Sequence, residues 1–162
     1  VPQVLGFPNP VNEKAARVVA AGVCLLAIAT LASGLYWLSA VLAYGFVARV
    51  LTGPRLSPLG RVATSLVAPR LGPAKPVPGP PKRFAQAIGA VLTSGAAIAT
   101  LAAGDSTAAI VLLALIVAAS ALESVLAFCI GCQVFALLMR AGVIPESVCV
   151  ECADTSLRAH RV

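Results

Sequence analysis

Charge is scarce in this chain: of 162 residues only 11% are Asp, Glu, Lys or Arg, where a soluble domain usually carries about a quarter. So little charge cannot supply a polar shell, so much of the surface must face something other than water. A bilayer is the simplest such surrounding, and a mean hydropathy of +0.95 agrees with it. Aromatic residues are few as well, at 5%. No basic face alternates with exposed aromatics, which removes nucleic acid as a partner despite the net charge of +6. A Ser-His-Asp set, a phosphate-binding loop and a haem-attachment motif are also missing. The lone histidine, His160, lies in the tail and carries little weight.

What the sequence does have is long apolar runs. About 20 such residues suffice to cross the hydrocarbon core as a helix. Ala15 to Gly34 is the first predicted crossing, and Trp37 to Leu51 a shorter second, with Arg49 placed to snorkel at its end. Phe84 to Gly104 is the third. The fourth begins at Ser106 and stays apolar to Arg140, with Glu123 and Gln133 as strongly polar interruptions. That length exceeds one crossing, so a span to about Ala127 is expected, then a bend or surface-lying helix near Gly131. The links Gly34-Leu35-Tyr36 and Gly104-Asp105 are short enough to force antiparallel hairpins. Tyr36 and Trp37 stand where an aromatic belt would place them.

An internal repeat accompanies this plan. Ala27-Ile28-Ala29-Thr30-Leu31-Ala32-Ser33-Gly34 returns as Ala97-Ile98-Ala99-Thr100-Leu101-Ala102-Ala103-Gly104, and Ala15 and Ala20 match Ala85 and Ala90. Duplication of a two-helix unit gives parallel copies. It also argues against reading Lys14, Arg17 and the following apolar stretch as a cleaved secretory signal. The predicted fold is therefore all-α and integral to the membrane. It has four transmembrane helices as two repeated helical hairpins, a short interfacial helix and a cysteine-bearing C-terminal tail. The expected divisions are an N-terminal cytoplasmic segment 1–13, a first hairpin 14–51, a basic loop 52–83, a second hairpin 84–127 and an extension with tail 128–162.

The loop from Thr52 to Arg83 holds Arg55, Arg61, Arg70, Lys75, Lys82 and Arg83 and no acid, whereas the outer links hold only Asp105. The positive-inside rule then places the loop and both termini in the cytoplasm. Within it, Leu59, Val62, Ala63, Leu66 and Val67 form one helical stripe between Ser57 and Ala68, suited to the membrane surface. Gly72 to Pro81 reads as a stiff extended linker.

Four of the five cysteines form two pairs, Cys129-Ile130-Gly131-Cys132 and Cys149-Val150-Glu151-Cys152. Both are expected on the cytoplasmic side, where static disulfides are rare and such pairs mean redox chemistry or a metal. In the redox reading each pair closes a small disulfide, one thiolate being favoured by a helix start or a nearby cation, and the pairs exchange by thiolate attack. In the metal reading residues 133–148 separate the pairs by a spacing that suits a four-thiolate zinc site, or an iron–sulfur centre on the same ligands. Metal needs Cys129, Cys132, Cys149 and Cys152 together; redox needs each pair to close on itself. Cys24 reads as a small apolar filler about 10 Å along the helix from Arg17.

Glu123 is the acid inside a predicted span, a position that marks functional sites by default. At its depth Arg17, Arg49, Gln86 and Arg83 are the expected partners, and in a redox site it is a candidate proton acceptor for Cys129. Thr30, Thr93, Ser94, Thr100 and Ser120 are expected to serve helix packing, and Ala85 and Gly89 to let helices approach closely.

Several segments carry a family resemblance: Asn9-Pro10-Val11-Asn12-Glu13-Lys14-Ala15-Ala16-Arg17, Ser57-Pro58, Pro69-Arg70-Leu71-Gly72-Pro73, Pro81-Lys82-Arg83-Phe84-Ala85-Gln86, Phe128 to Cys132, and Ile144 to Cys152. Together they resemble an uncharacterised bacterial membrane family, domain of unknown function 4395, over nearly the whole chain. The four-helix plan is more distantly similar to DoxX-like membrane proteins. The resemblance implies a four-helix protein of the bacterial inner membrane, found with thioredoxin-like proteins and thiosulfate sulfurtransferases as candidate partners. The expected function is thus membrane thiol-redox or sulfur handling through the two pairs. The alternative is a non-catalytic subunit of a larger membrane complex, its tail pinned by zinc.

Overall fold

The computed structural model describes residues 6–153; His160, the end of the tail and the start of the N-terminal segment lie outside the described residues. The chain is helical almost throughout. Helix α1 (Glu13–Ser33) starts where the Asn12 side chain accepts from the Lys14 N–H at 3.1 Å. It ends on Gly34 at φ 70°, and Gly104 in the other copy of the repeated octet adopts φ 68°. Helix α2 covers Leu38–Thr52, α4 Gly79–Leu101 and α5 Ser106–Leu126, the last capped by Asp105, whose carboxylate accepts from the Ala108 N–H. Between them α3 (Pro58–Val62) runs into a π turn at Ala63–Val67 and a 3-10 turn at Ala68–Leu71. Helix α6 (Ile130–Arg140) and the single turn α7 (Val150–Ala153) follow α5.

Helices α1, α4 and α5 are long and apolar enough to cross a membrane, while α2 and α6 are shorter apolar helices. Their outward faces are apolar: Leu25, Val91, Ile98, Leu115 and Val125 are all at least half exposed. Water would penalise that surface; lipid does not. Three buried hydroxyls and the half-buried Thr100 are satisfied within their own helices. Thr30 donates to the Leu26 carbonyl, Thr93 to Gly89, Thr100 to Ala96 and Ser120 to Ile116. Such back-bonding lets a polar side chain sit in a dry interface.

The packing runs across the two halves of the chain. Helix α1 lies chiefly against α5, α2 against α4, and α4 also against α5, whereas α1 and α2 touch each other little. Val23 and Ala27 of α1, Phe46 of α2, Ala96 of α4 and Leu113 of α5 meet in one core. Gly89 permits the α2–α4 approach, because a Cβ there would strike the Phe46 ring.

Three local features depart from the sequence expectation. Helix α4 begins at Gly79, ahead of Phe84, with Pro80 and Pro81 in its first turn; that turn has no intrahelical N–H bonds to lose, so proline fits there. The linker is not wholly unpaired, since β1 (Val11–Asn12) and β2 (Pro76–Val77) form an antiparallel pair. Lys75 and Glu13 add an ion pair at 2.8 Å, and Lys14 Nζ reaches the Leu71 carbonyl at 2.8 Å. The loop stripe also divides: Ala63 is buried and Leu59 packs on the core, but Val62 and Leu66 face outward. The π turn begins after Val62, widens the helix from Ala63 on and turns Leu66 off the stripe.

Candidate functional site

Polar residues gather at one end of the helices. There α1 and α4 begin and α2 and α5 end. Successive helical residues point about 100° apart at 3.6 per turn, so neighbours in sequence take different partners. Lys82 turns toward α5, and its Nζ meets Glu123 Oε1 at 2.5 Å with both side chains mostly buried. Arg83 turns toward α2 and donates from Nε to the Val50 carbonyl at 3.0 Å. Gln86, one turn on, accepts from Arg49 Nε at 2.8 Å. Arg17 donates to the Ser124 and Val125 carbonyls, satisfying the unpaired end of α5 with a positive charge at its negative pole. The Glu123 partner is therefore Lys82 and none of Arg17, Arg49, Gln86 or Arg83. Depth alone nominated those four; helix azimuth selects Lys82.

The first cysteine pair sits at the break between α5 and α6. Ala127 ends α5 in the left-handed region at φ 56°. Cys129 is then extended and caps α6, its Sγ accepting from the Cys132 N–H at 3.3 Å. The positive end of a helix favours negative charge at that sulfur. The start of α6 is pressed onto α4. A Cβ at Gly131 would come within 2.6 Å of Ala85 Cα, and Phe135 meets Phe84 edge to face at 5.6 Å between centroids.

The second pair follows a 3-10 turn at Glu146–Val148. Cys149 opens the last turn, its carbonyl accepting from the Cys152 and Ala153 N–H groups. Each pair is closed on itself as a disulfide, with Cα–Cα separations of 5.2 Å for Cys129–Cys132 and 5.3 Å for Cys149–Cys152. In both the first cysteine is buried, Cys129 at 7% and Cys149 at 4% exposure, and the second is the more open.

The tail brings the two pairs to one cavity of about 370 Å³, lined by Cys129, Cys132 and Cys152 together with Lys82, Arg140 and Glu151. Glu123 and Cys129 line a neighbouring cavity of about 250 Å³. Glu123 and Cys129 thus face a shared cavity, and the Glu123 carboxylate is engaged by Lys82. Among the described residues no group of three or more His, Cys, Asp or Glu side chains is placed to hold a metal ion, and the four paired cysteines stand as two separate closed pairs. Cys24 lies between α1 and α5, its Sγ 3.8 Å from the Val117 carbonyl.

Sequence reasoning missed Lys82 as the partner of Glu123 and as a cation beside the cysteines, having counted it only as one of the loop bases. Its place one turn before Gln86, on a helix facing α5, was the available signal.

No curated protein and no solved structure matches the chain. The family model described as domain of unknown function (DUF4395) matches residues 11–140, a range that includes the Cys129–Cys132 pair and stops short of Cys149 and Cys152. The chain belongs to the DUF4395 family.

Proposed function

We propose that this protein is a membrane-embedded thiol–disulfide exchanger whose two pairs act in series at the cytoplasmic face of a bacterial inner membrane. In this reading α1, α2, α4 and α5 all cross the bilayer as two repeated hairpins, α2 with its flanking aromatic residues making the fourth crossing. The bases of the loop hold that face inside.

One observation carries the reading: two self-closed pairs open onto a single cavity, the first through Cys129 and the more exposed Cys132, the second through Cys152. The exchange balances as follows. With the first pair oxidised and the tail pair reduced, the Cys152 thiolate attacks Cys132 Sγ. The Cys129–Cys132 bond breaks and the Cys129 thiolate leaves. Cys149 then attacks Cys152 Sγ, releasing the Cys132 thiolate. Two electrons and two protons pass from the tail to the membrane-proximal pair. A soluble dithiol protein of thioredoxin type, or a sulfurtransferase supplying two thiols, then reduces the tail pair and is left as a disulfide, while a disulfide-bearing substrate accepts the two electrons from the reduced Cys129–Cys132 pair and is released as two thiols. Capping by the α6 N-terminus and the nearby Lys82 cation make Cys129 a good leaving thiolate.

The test uses two double variants in the purified full chain. Cys129→Ser/Cys149→Ser keeps the two open sulfurs and should form a Cys132–Cys152 bond on mild diamide oxidation, read by peptide mass spectrometry. Cys132→Ser/Cys152→Ser keeps the buried sulfurs and should cross-link far more slowly. Absence of a Cys132–Cys152 bond, while both thiols still alkylate readily, would sink serial exchange.

A further inference from the structure

A different cavity, of about 290 Å³, lies on the far side of Lys82, between α1, the end of α2 and the loop. Its lining is mostly apolar, with Pro8, Ala15, Ala16 and Val19 among the walls, and no acid belongs to it. Two cations line it, Arg49 and Lys82.

Arg49 is only 5% exposed, although it carries a charge that cannot be discharged in a protein. Its Nε donates to Gln86, Nη1 donates to Ser57 Oγ at 3.0 Å, and Cζ lies 4.6 Å from the Phe46 ring centre. Its Nη2 is buried and, among the described residues, is the one buried side-chain nitrogen or oxygen with no hydrogen-bond partner. Gln86 and Ser57 are neutral. Lys82 is ion-paired with Glu123, whose charge also acts on Arg49 without touching it, and Glu13 at the start of α1 is taken by Lys75. Arg49, Lys82 and Glu123 therefore leave one positive charge in excess at a dry site, and one guanidinium donor idle. Both are strongly unfavourable in a folded chain unless something answers them.

We infer that this cavity binds an acidic amphiphile, with an oxyanion head bonded to Arg49 Nη2 and to a spare Lys82 donor and a short apolar body along α1. One negative charge cancels the excess. A guanidinium prefers the planar fork of a carboxylate or phosphate, and the apolar walls supply what a bare inorganic anion could not use. The volume sits at the small end of ligand pockets, about 300–1,000 Å³, so a short acyl acid fits where a whole phospholipid does not. The site also lies at the end of α2, at the depth where acidic heads of lipid origin collect.

The experiment is native mass spectrometry of the full chain from an uncharged detergent, titrated separately with octanoate, octanamide and inorganic phosphate. Octanoate should add at one per chain. Arg49→Met should weaken it by about tenfold or more, the scale of one hydrogen bond to a charged group. Ala16→Leu narrows the cavity without touching a charge and should also weaken octanoate, which guards against misfolding of the Arg49 variant; both variants are checked for native helical circular dichroism. Octanamide binding as tightly as octanoate would overturn the acidic head. Phosphate binding as tightly would overturn the apolar body and leave a free-anion site. Octanoate binding unchanged in Arg49→Met would overturn the site altogether.

Discussion

Breaking the Lys82–Glu123 pair offers the sharpest test of the polar layer. The two charges meet at 2.5 Å, with side-chain exposures of 11% and 15%. Removing one partner of a buried pair typically costs about 3–5 kcal/mol, because the other charge is stranded. Since both groups retain some exposure, Lys82→Met and Glu123→Met should each cost about 2–4 kcal/mol. The double variant should recover most of this, because two methionines fill the space without a stranded charge. The assay is a double-mutant cycle by reversible unfolding in mixed SDS micelles, followed by circular dichroism. A coupling of about 3 kcal/mol or more is expected, since the single costs sum to at least about 4 and the double should cost about 1; one below about 0.5 kcal/mol would be ordinary additivity and would refute the pairing. The chain carries its own control. Lys75 in the Lys75–Glu13 pair is 66% exposed, so the same cycle there should give less than about 1 kcal/mol.

Other outcomes follow from the same contacts. Gly89→Val drives a side chain into the Phe46 ring and should cost about 1–3 kcal/mol, as overpacking does; Phe46→Ala in the same chain should return part of it. Gly131→Val should lift α6 from Ala85, and after reduction Cys129 should then alkylate several-fold faster, with Cys24 as the internal reference. Elemental analysis of chain purified without oxygen should find zinc and iron well below one per chain; a full equivalent, lost on replacing any paired cysteine, would turn the reading to a metal clip. In intact cells Asp105→Cys should react with an impermeant maleimide and Arg70→Cys only after lysis; the reverse pattern would invert the topology.

The long helices were legible because an apolar run of twenty residues has few ways to satisfy its backbone in lipid other than as a helix. The break after α5 was legible from excess length, and the structure puts it at residues 127–129, just before Gly131. The early start of α4 was not, since Pro80 and Pro81 look the same in a linker and in a first helical turn. Self-closure of the cysteine pairs was open to the spacing argument, but which sulfur faces out was not. That follows from Cys129 serving as a cap and from the burial of Cys149. The Arg49 cavity was hidden for another reason. Its walls come from residues near 10, 50, 60 and 82, and no window of sequence brings them together.

The crosswise packing has a consequence for biogenesis. Helices α1 and α2 are synthesised first and joined by a tight link, yet each finds its main neighbour in the second half of the chain. Until the second half of the chain exists, neither helix has the surface it packs on. Closure of the core is thus postponed until α4 and α5 are made, and a nascent chain stalled before them would expose two apolar helices that had never found their mates.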